Sequence, residues 1–116
     1  MHLTLDELHI QLHCDVDAQL PLRESVYVGL IINELVSNAV KHAYGEEGGS
    51  IYISLSHENR DYFLEVRDEG RGYNNHVAEV RNLGSRLIET LVEMQLEGTI
   101  ELDDSKGTHY KIRFSL

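Results

Sequence analysis

Apolar residues recur at three- and four-residue steps from Val28 onward. Val28, Ile32, Leu35, Ala39 and Ala43 fall on one row of a helix, while Glu34, Asn38, Lys41 and His42 fall on another. The spacing predicts a helix from about Leu22 to Tyr44, entered after Pro21 and left through the flexible run G-E-E-G-G-S. Elsewhere the period is two. Leu8, Ile10 and Leu12 predict a strand up to His13; Ile51, Ile53 and Leu55 predict another. A turn at Glu58-Asn59-Arg60 leads to Tyr62, Leu64 and Val66, which completes a hairpin with one buried face.

Tyr73 to Asn82 has no period and reads as a loop. From Leu83 the helical step returns, with Leu87, Leu91 and Met94 in one row and Ile88 and Val92 beside it, and Gly98 as the stop. A second hairpin follows: Thr99 to Leu102, a turn through Asp103 to Gly107, then Thr108 to Phe114 with Tyr110, Ile112 and Phe114 facing inward. The order is strand, helix, two strands, loop, helix, two strands. It predicts an α/β two-layer sandwich, in which helices cover one face of a mixed, mainly antiparallel sheet of about five strands.

At 116 residues the chain is expected to form one domain, residues 1–116. No apolar run approaches the roughly 20 residues of a membrane span, and no signal-peptide pattern opens the chain. The lone Cys14 has no partner for an internal disulfide, which fits a reducing cytoplasmic setting. A net charge of -10, with ten Lys and Arg scattered along the chain, argues against nucleic acid. An anionic ligand would need local cations and a divalent metal to overcome that field. The seven histidines show no zinc-ligand spacing.

Neither a P-loop nor a dinucleotide glycine motif is present. The second strand of the first hairpin ends instead in Asp68-Glu69-Gly70-Arg71-Gly72. A carboxylate at a strand end accepts a hydrogen bond from an exocyclic amine such as that of adenine, and Gly70 and Gly72 let backbone approach a flat base. On its own the run is also a good turn. Gly84, at the start of the second helix, reads equally as a cap or as free N–H groups facing an anion. Gly107-Thr108 reads as a turn glycine and a strand hydroxyl, or as part of a ligand floor.

In order, E-L-V-S-N-A-V-K-H, D-E-G-R-G, L-G-S-R-L and G-T-H-Y-K-I-R-F resemble the N box, the two glycine boxes and the terminal Gly-Thr strand of the GHKL (Bergerat-fold) ATP-binding superfamily, which includes sensor histidine kinases, DNA gyrase and anti-sigma factor kinases. Over residues 8–116 the chain looks most like the ATP-binding catalytic domain of a sensor histidine kinase whose N box reads N-E-L-x-x-N-A-x-K-H.

The resemblance implies ATP and Mg²⁺ as cofactors. It gives Asn38 the role of Mg²⁺ ligand and Asp68 that of adenine-reading acid. Lys41 and His42 match positions beside the phosphates and nucleotide, and Gly84 the phosphate end of the lid. Glu34 matches the acid that activates water in the ATPase branches. In a kinase that acid orients the metal's water shell or the nucleophile. Glu34 and Lys41 are therefore the expected catalytic pair. Gly70, Gly72 and Thr108 complete the expected binding set, with Arg81 and Arg86 as candidates for the γ-phosphate. The second glycine box is reduced to Gly84, an F box is not recognisable, and the Tyr73 to Asn82 loop is short for an ATP lid.

The implied function is transfer of the γ-phosphoryl of Mg-ATP to a histidine on a separate dimerisation and phosphoacceptor domain, with a response regulator downstream. The domain itself is expected to be monomeric, without membrane contact, and cut from a longer kinase. The alternatives are an anti-sigma-type serine kinase, a GHKL ATPase, and a docking module that has lost its nucleotide.

Overall fold

The computed structural model describes residues 2–5, 10–40, 49–69, 83–103 and 107–116. Six strands form one sheet in the order β1-β2-β3-β4-β6-β5. They are β1 (His2–Leu5), β2 (Ile10–Asp17), β3 (Gly49–Glu58), β4 (Asp61–Asp68), β5 (Thr99–Asp103) and β6 (Thr108–Ser115). Helix α1 (Leu22–Asn38) lies between β2 and β3, and α2 (Leu83–Glu89) lies between β4 and β5. Among the described residues only β2 and β3 pair in parallel, because α1 is the crossover that returns the chain to the starting end of the sheet. The remaining pairings are antiparallel. All five expected strands are present, and β1 adds an edge strand that the apolar pattern did not announce.

The hairpins follow their alternation closely. Ile51, Ile53 and Leu55 of β3 face Leu64 and Val66 of β4, all buried, and Tyr110, Ile112 and Phe114 of β6 continue the same face. The β3–β4 connection is the two-residue loop Asn59-Arg60, with Asn59 in the left-handed region at φ 57°. Beneath this face pack Val28, Ile31 and Leu35 of α1 and Ile88 of α2. Cys14 packs against the edge of the core, half-buried.

The helices depart from expectation in three ways. On α1 the buried row is Val28, Ile31, Leu35 and Asn38, with Ile32 only half-buried. Asn38 therefore sits on the core side and not on the exposed polar stripe expected for it. Ile31 and Ile32 are adjacent and chemically identical, so spacing alone did not say which points inward. The last part of the expected helix, including Lys41, His42 and Ala43, lies outside the described residues.

Beyond α2 the chain widens into a π-helical turn, Thr90–Gln95, in which the Leu96 N–H reaches back five residues to the Leu91 carbonyl at 2.9 Å. Ile88, Leu91, Val92 and Leu96 are buried, while Leu87 (42% exposed) and Met94 (72% exposed), both expected inside, face out. The stop also differs. Glu97 takes the left-handed conformation at φ 53°, while Gly98 is required by close approach, since a Cβ there would lie 2.2 Å from the Arg113 carbonyl oxygen.

Candidate functional site

The core face of the sheet changes character at one end. Along β4 the inward positions run Leu64, Val66 and then Asp68; along β6 they run Ile112, Tyr110 and then Thr108. Asp68 pairs with Ile51 on one side and Thr108 on the other, so a carboxylate and a hydroxyl occupy the register row where two more apolar side chains would otherwise sit. Asp68 is 3% exposed and Thr108 2%. The Thr108 backbone N–H donates to Oδ1 of Asp68 at 3.2 Å. Burying a carboxylate is unfavourable unless such donors meet it.

Gly107 makes the row possible. Its φ is +76°, and a Cβ there would stand 2.4 Å from the Asp68 carbonyl oxygen. Only glycine lets β6 start so close to the end of β4.

Chain topology brings α1 to the same place. α1 runs back from the far end of β2 and packs against β4. Its last residue, Asn38, thus lies toward the end of the sheet where β3 and β6 begin and β4 finishes. Asn38 is 3% exposed, and its Nδ2 has no hydrogen-bond partner among the described residues; nor does the Oγ1 of Thr108. Buried polar atoms are nearly always satisfied, so two orphans at one end of the sheet mark a place for a ligand to satisfy them.

Chemically, the row offers a buried anionic acceptor and an unused hydroxyl beside the apolar core. That set suits an aromatic group carrying an exocyclic amine. The Asn38 amide adds a neutral oxygen of the kind that suits a hard cation arriving with its own anionic ligand. No cluster of three or more His, Cys, Asp or Glu forms a metal cage among the described residues. A cation here would take most of its ligands from phosphate and water.

Of the residues expected at the site, Asn38, Asp68 and Thr108 share this end of the sheet. Glu34 lies half-buried one turn before Asn38 on α1. Gly84 is the second residue of α2. Lys41, His42, Gly70, Gly72 and Arg81 lie outside the described residues, as does the Tyr73 to Asn82 loop. Arg86 is exposed on α2. Sequence reasoning did not name Ile51 as the register neighbour of Asp68, although counting back from the Asn59-Arg60 loop pairs the two. A cleft lined by Phe63, Glu65, Lys111 and Arg113 lies on the uncovered face of the sheet and includes none of the expected site residues.

Comparison with known proteins agrees with this geometry. Residues 24–116 match the family described as histidine kinase-, DNA gyrase B-, and HSP90-like ATPase. The sensor histidine kinase PdtaS of Mycolicibacterium smegmatis is 32% identical over 90 residues, covering 72% of this chain and 18% of that protein. An anti-sigma F factor of Bacillus licheniformis is 38% identical over 53 residues, covering 45% of this chain and 36% of that one. In three dimensions the histidine kinase domain of the Erythrobacter litoralis EL346 blue-light activated kinase superposes with a TM-score of 0.81 at 26% identity, over 92% of this chain and 52% of that one. The chain therefore spans about half of that kinase domain and under a fifth of PdtaS.

Proposed function

Because the chain belongs to the histidine kinase-, DNA gyrase B-, and HSP90-like ATPase family, we propose that it binds ATP with Mg²⁺ and donates the γ-phosphoryl to a histidine on a separate phosphoacceptor domain, upstream of a response regulator in the cytoplasm. The observation that carries this reading is the Asp68–Thr108 row, with its buried carboxylate and free hydroxyl at the polar end of the core face.

In this reading the Asp68 carboxylate accepts the adenine amine, and the Thr108 hydroxyl meets the same edge of the base. Gly70 and Gly72 let the backbone close over the ring. Asn38 offers its amide oxygen to Mg²⁺, and Glu34, one turn earlier, orients the incoming nucleophile. Lys41 and His42 stand beside the phosphates, and Gly84 marks the phosphate end of the lid. Bound Mg²⁺ supplies the neutralisation that a chain of net charge -10 needs before it can hold a triphosphate. Phosphoryl transfer asks mostly for positioning and charge stabilisation, so these few groups are sufficient catalytic equipment.

The test is incubation with γ-labelled Mg-ATP and a purified histidine-phosphoacceptor domain. Label on the acceptor that is lost in acid and kept in base supports the reading. Acid-stable label on a serine substrate instead would favour the second reading, an anti-sigma-type serine kinase, which the anti-sigma F relatives bring forward. Release of free phosphate without any acceptor would point to a simple ATPase. Failure to bind nucleotide at any Mg²⁺ concentration would leave a docking module.

A further inference from the structure

On the uncovered face of the sheet, an ordered row of side chains lies directly behind Asp68 and Thr108. Tyr52 of β3 pairs with Arg67 of β4, and Arg67 pairs with His109 of β6. Each is the chain neighbour of a residue in the Asp68 row: Tyr52 follows Ile51, Arg67 precedes Asp68 and His109 follows Thr108. Strand alternation turns them to the opposite face.

The contacts in this row are specific. The Arg67 guanidinium lies over the Tyr52 ring, 4.4 Å from its centroid, and the His13 ring of β2 stacks on the same tyrosine at 4.7 Å with 14° between the planes. Arg67 also reaches past the end of β4, where its Nη1 stands 3.8 Å from Oε1 of Glu69. Glu65, two residues earlier on the same face, is engaged by Nε2 of His109 at 2.9 Å. One cation therefore joins a stacked ring on the neighbouring strand to the residue just after Asp68.

Its place in the sheet separates this stack from ordinary cross-strand pairing. The outward positions of β3 run Ser50, Tyr52, Ser54 and Ser56, so the one ring among them stands beside the strand end that carries the acid. Asp68 is the last residue of β4. A carboxylate that selects a base by a hydrogen bond works only within a narrow range of distance and angle, and a strand end is where a backbone opens most readily. We infer that Tyr52 and Arg67 are positioning residues for nucleotide selection, holding the Asp68 peptide from the far side so that its carboxylate stays aimed at an exocyclic amine. This rests on the reading of Asp68 as the adenine acceptor given above.

The test compares ATP with inosine triphosphate, whose base has an oxo group where adenine has its amine, by calorimetric titration of the parent chain, Tyr52→Leu, Arg67→Met and Tyr52→Phe. The parent should prefer ATP. Tyr52→Leu and Arg67→Met are expected to lower that preference about two- to fivefold, the size of an exposed cation–π contact, by weakening ATP alone. Arg67→Met keeps the aliphatic stem of an exposed side chain and carries the test should Tyr52→Leu unfold. Tyr52→Phe leaves a ring under the guanidinium and should show the parental ratio. Combined with Asp68→Asn, Tyr52→Leu should cost nothing more, because the residue through which it acts is gone. A purely structural row would weaken both nucleotides alike and keep its cost in the double variant. Either result, or single variants with the parental ratio, overturns the positioning role while the Asp68 reading stands. A parent that binds ATP and inosine triphosphate equally removes Asp68 from the base site, and the positioning role with it.

Discussion

Thr108 gives its backbone N–H to the Asp68 carboxylate at 3.2 Å and keeps its own hydroxyl, equally buried, without a partner among the described residues. One residue thus both holds the acid in place and leaves a polar atom for a ligand.

Asp68→Asn should fold and lose adenine recognition. The amide can still accept from Thr108, but it then turns its NH₂ group toward the adenine amine, donor against donor. Losing a hydrogen bond to a charged group costs about 1.5–3 kcal/mol, roughly 10- to 150-fold in affinity. Calorimetric titration with ATP measures it, and binding within twofold of the parent would remove Asp68 from the base site.

Thr108→Val keeps the shape and removes the orphan hydroxyl. The isolated protein should be as stable as the parent or slightly more so, because an unsatisfied buried polar atom disappears. ATP affinity should drop several-fold. Thermal melting and titration on the same samples separate the two effects, and a variant that melts much lower with unchanged affinity would make the hydroxyl structural.

Asn38→Ala is expected to lose the Mg²⁺-dependent part of nucleotide affinity and keep the metal-free part, since the amide would contribute one oxygen to the cation. ATP titrations across a Mg²⁺ series decide this. Parallel curves for parent and variant would show that Asn38 has no part in holding the metal.

Asp61, at the start of β4, has its carboxyl held below the usual carboxylate range by the Ser115 hydroxyl and by Arg113. A depressed folded-state pKa stabilises the fold above the unfolded-state value, and that contribution is lost as pH falls through the folded one. Asp61→Asn should therefore shrink the difference in melting temperature between neutral and acid pH. The group is exposed, so the change is small. An unchanged acid limb would mean that the contact does not persist in solution.

Much of the sheet was legible because its residues repeat one instruction. Ile51, Ile53 and Leu55 alternate without exception, Asn59 supplies the loop, and Asp68 and Gly107 stand where alternation stops. The helices were less so. Ile31 and Ile32 offer either face, Leu87 and Met94 share a helical row with the buried Leu91 yet face out, and nothing local marks the π-helical turn. Asn38 misled because a polar side chain in a helical row reads as solvent-facing, whereas here it is buried with its Nδ2 unpartnered among the described residues. β1 is held by backbone pairing to β2, which a side-chain pattern does not record. Of the candidate site, Asp68 and Thr108 were readable residue by residue, whereas their sharing one row with Ile51 emerges only from register.

The Asp68–Thr108 contact joins residues 40 apart in the chain, while the β3–β4 hairpin closes over a two-residue loop. Local hairpins meet a small loop-closure entropy and the β4–β6 ladder a larger one, so the Asp68–Thr108 row exists only once the long-range ladder has formed. A partly folded chain lacks the proposed base site. Ligand and topology are consequently linked by mass action: each tenfold excess of free ligand over Kd holds the closed sheet by about 1.4 kcal/mol more, and the melting temperature becomes a readout of occupancy.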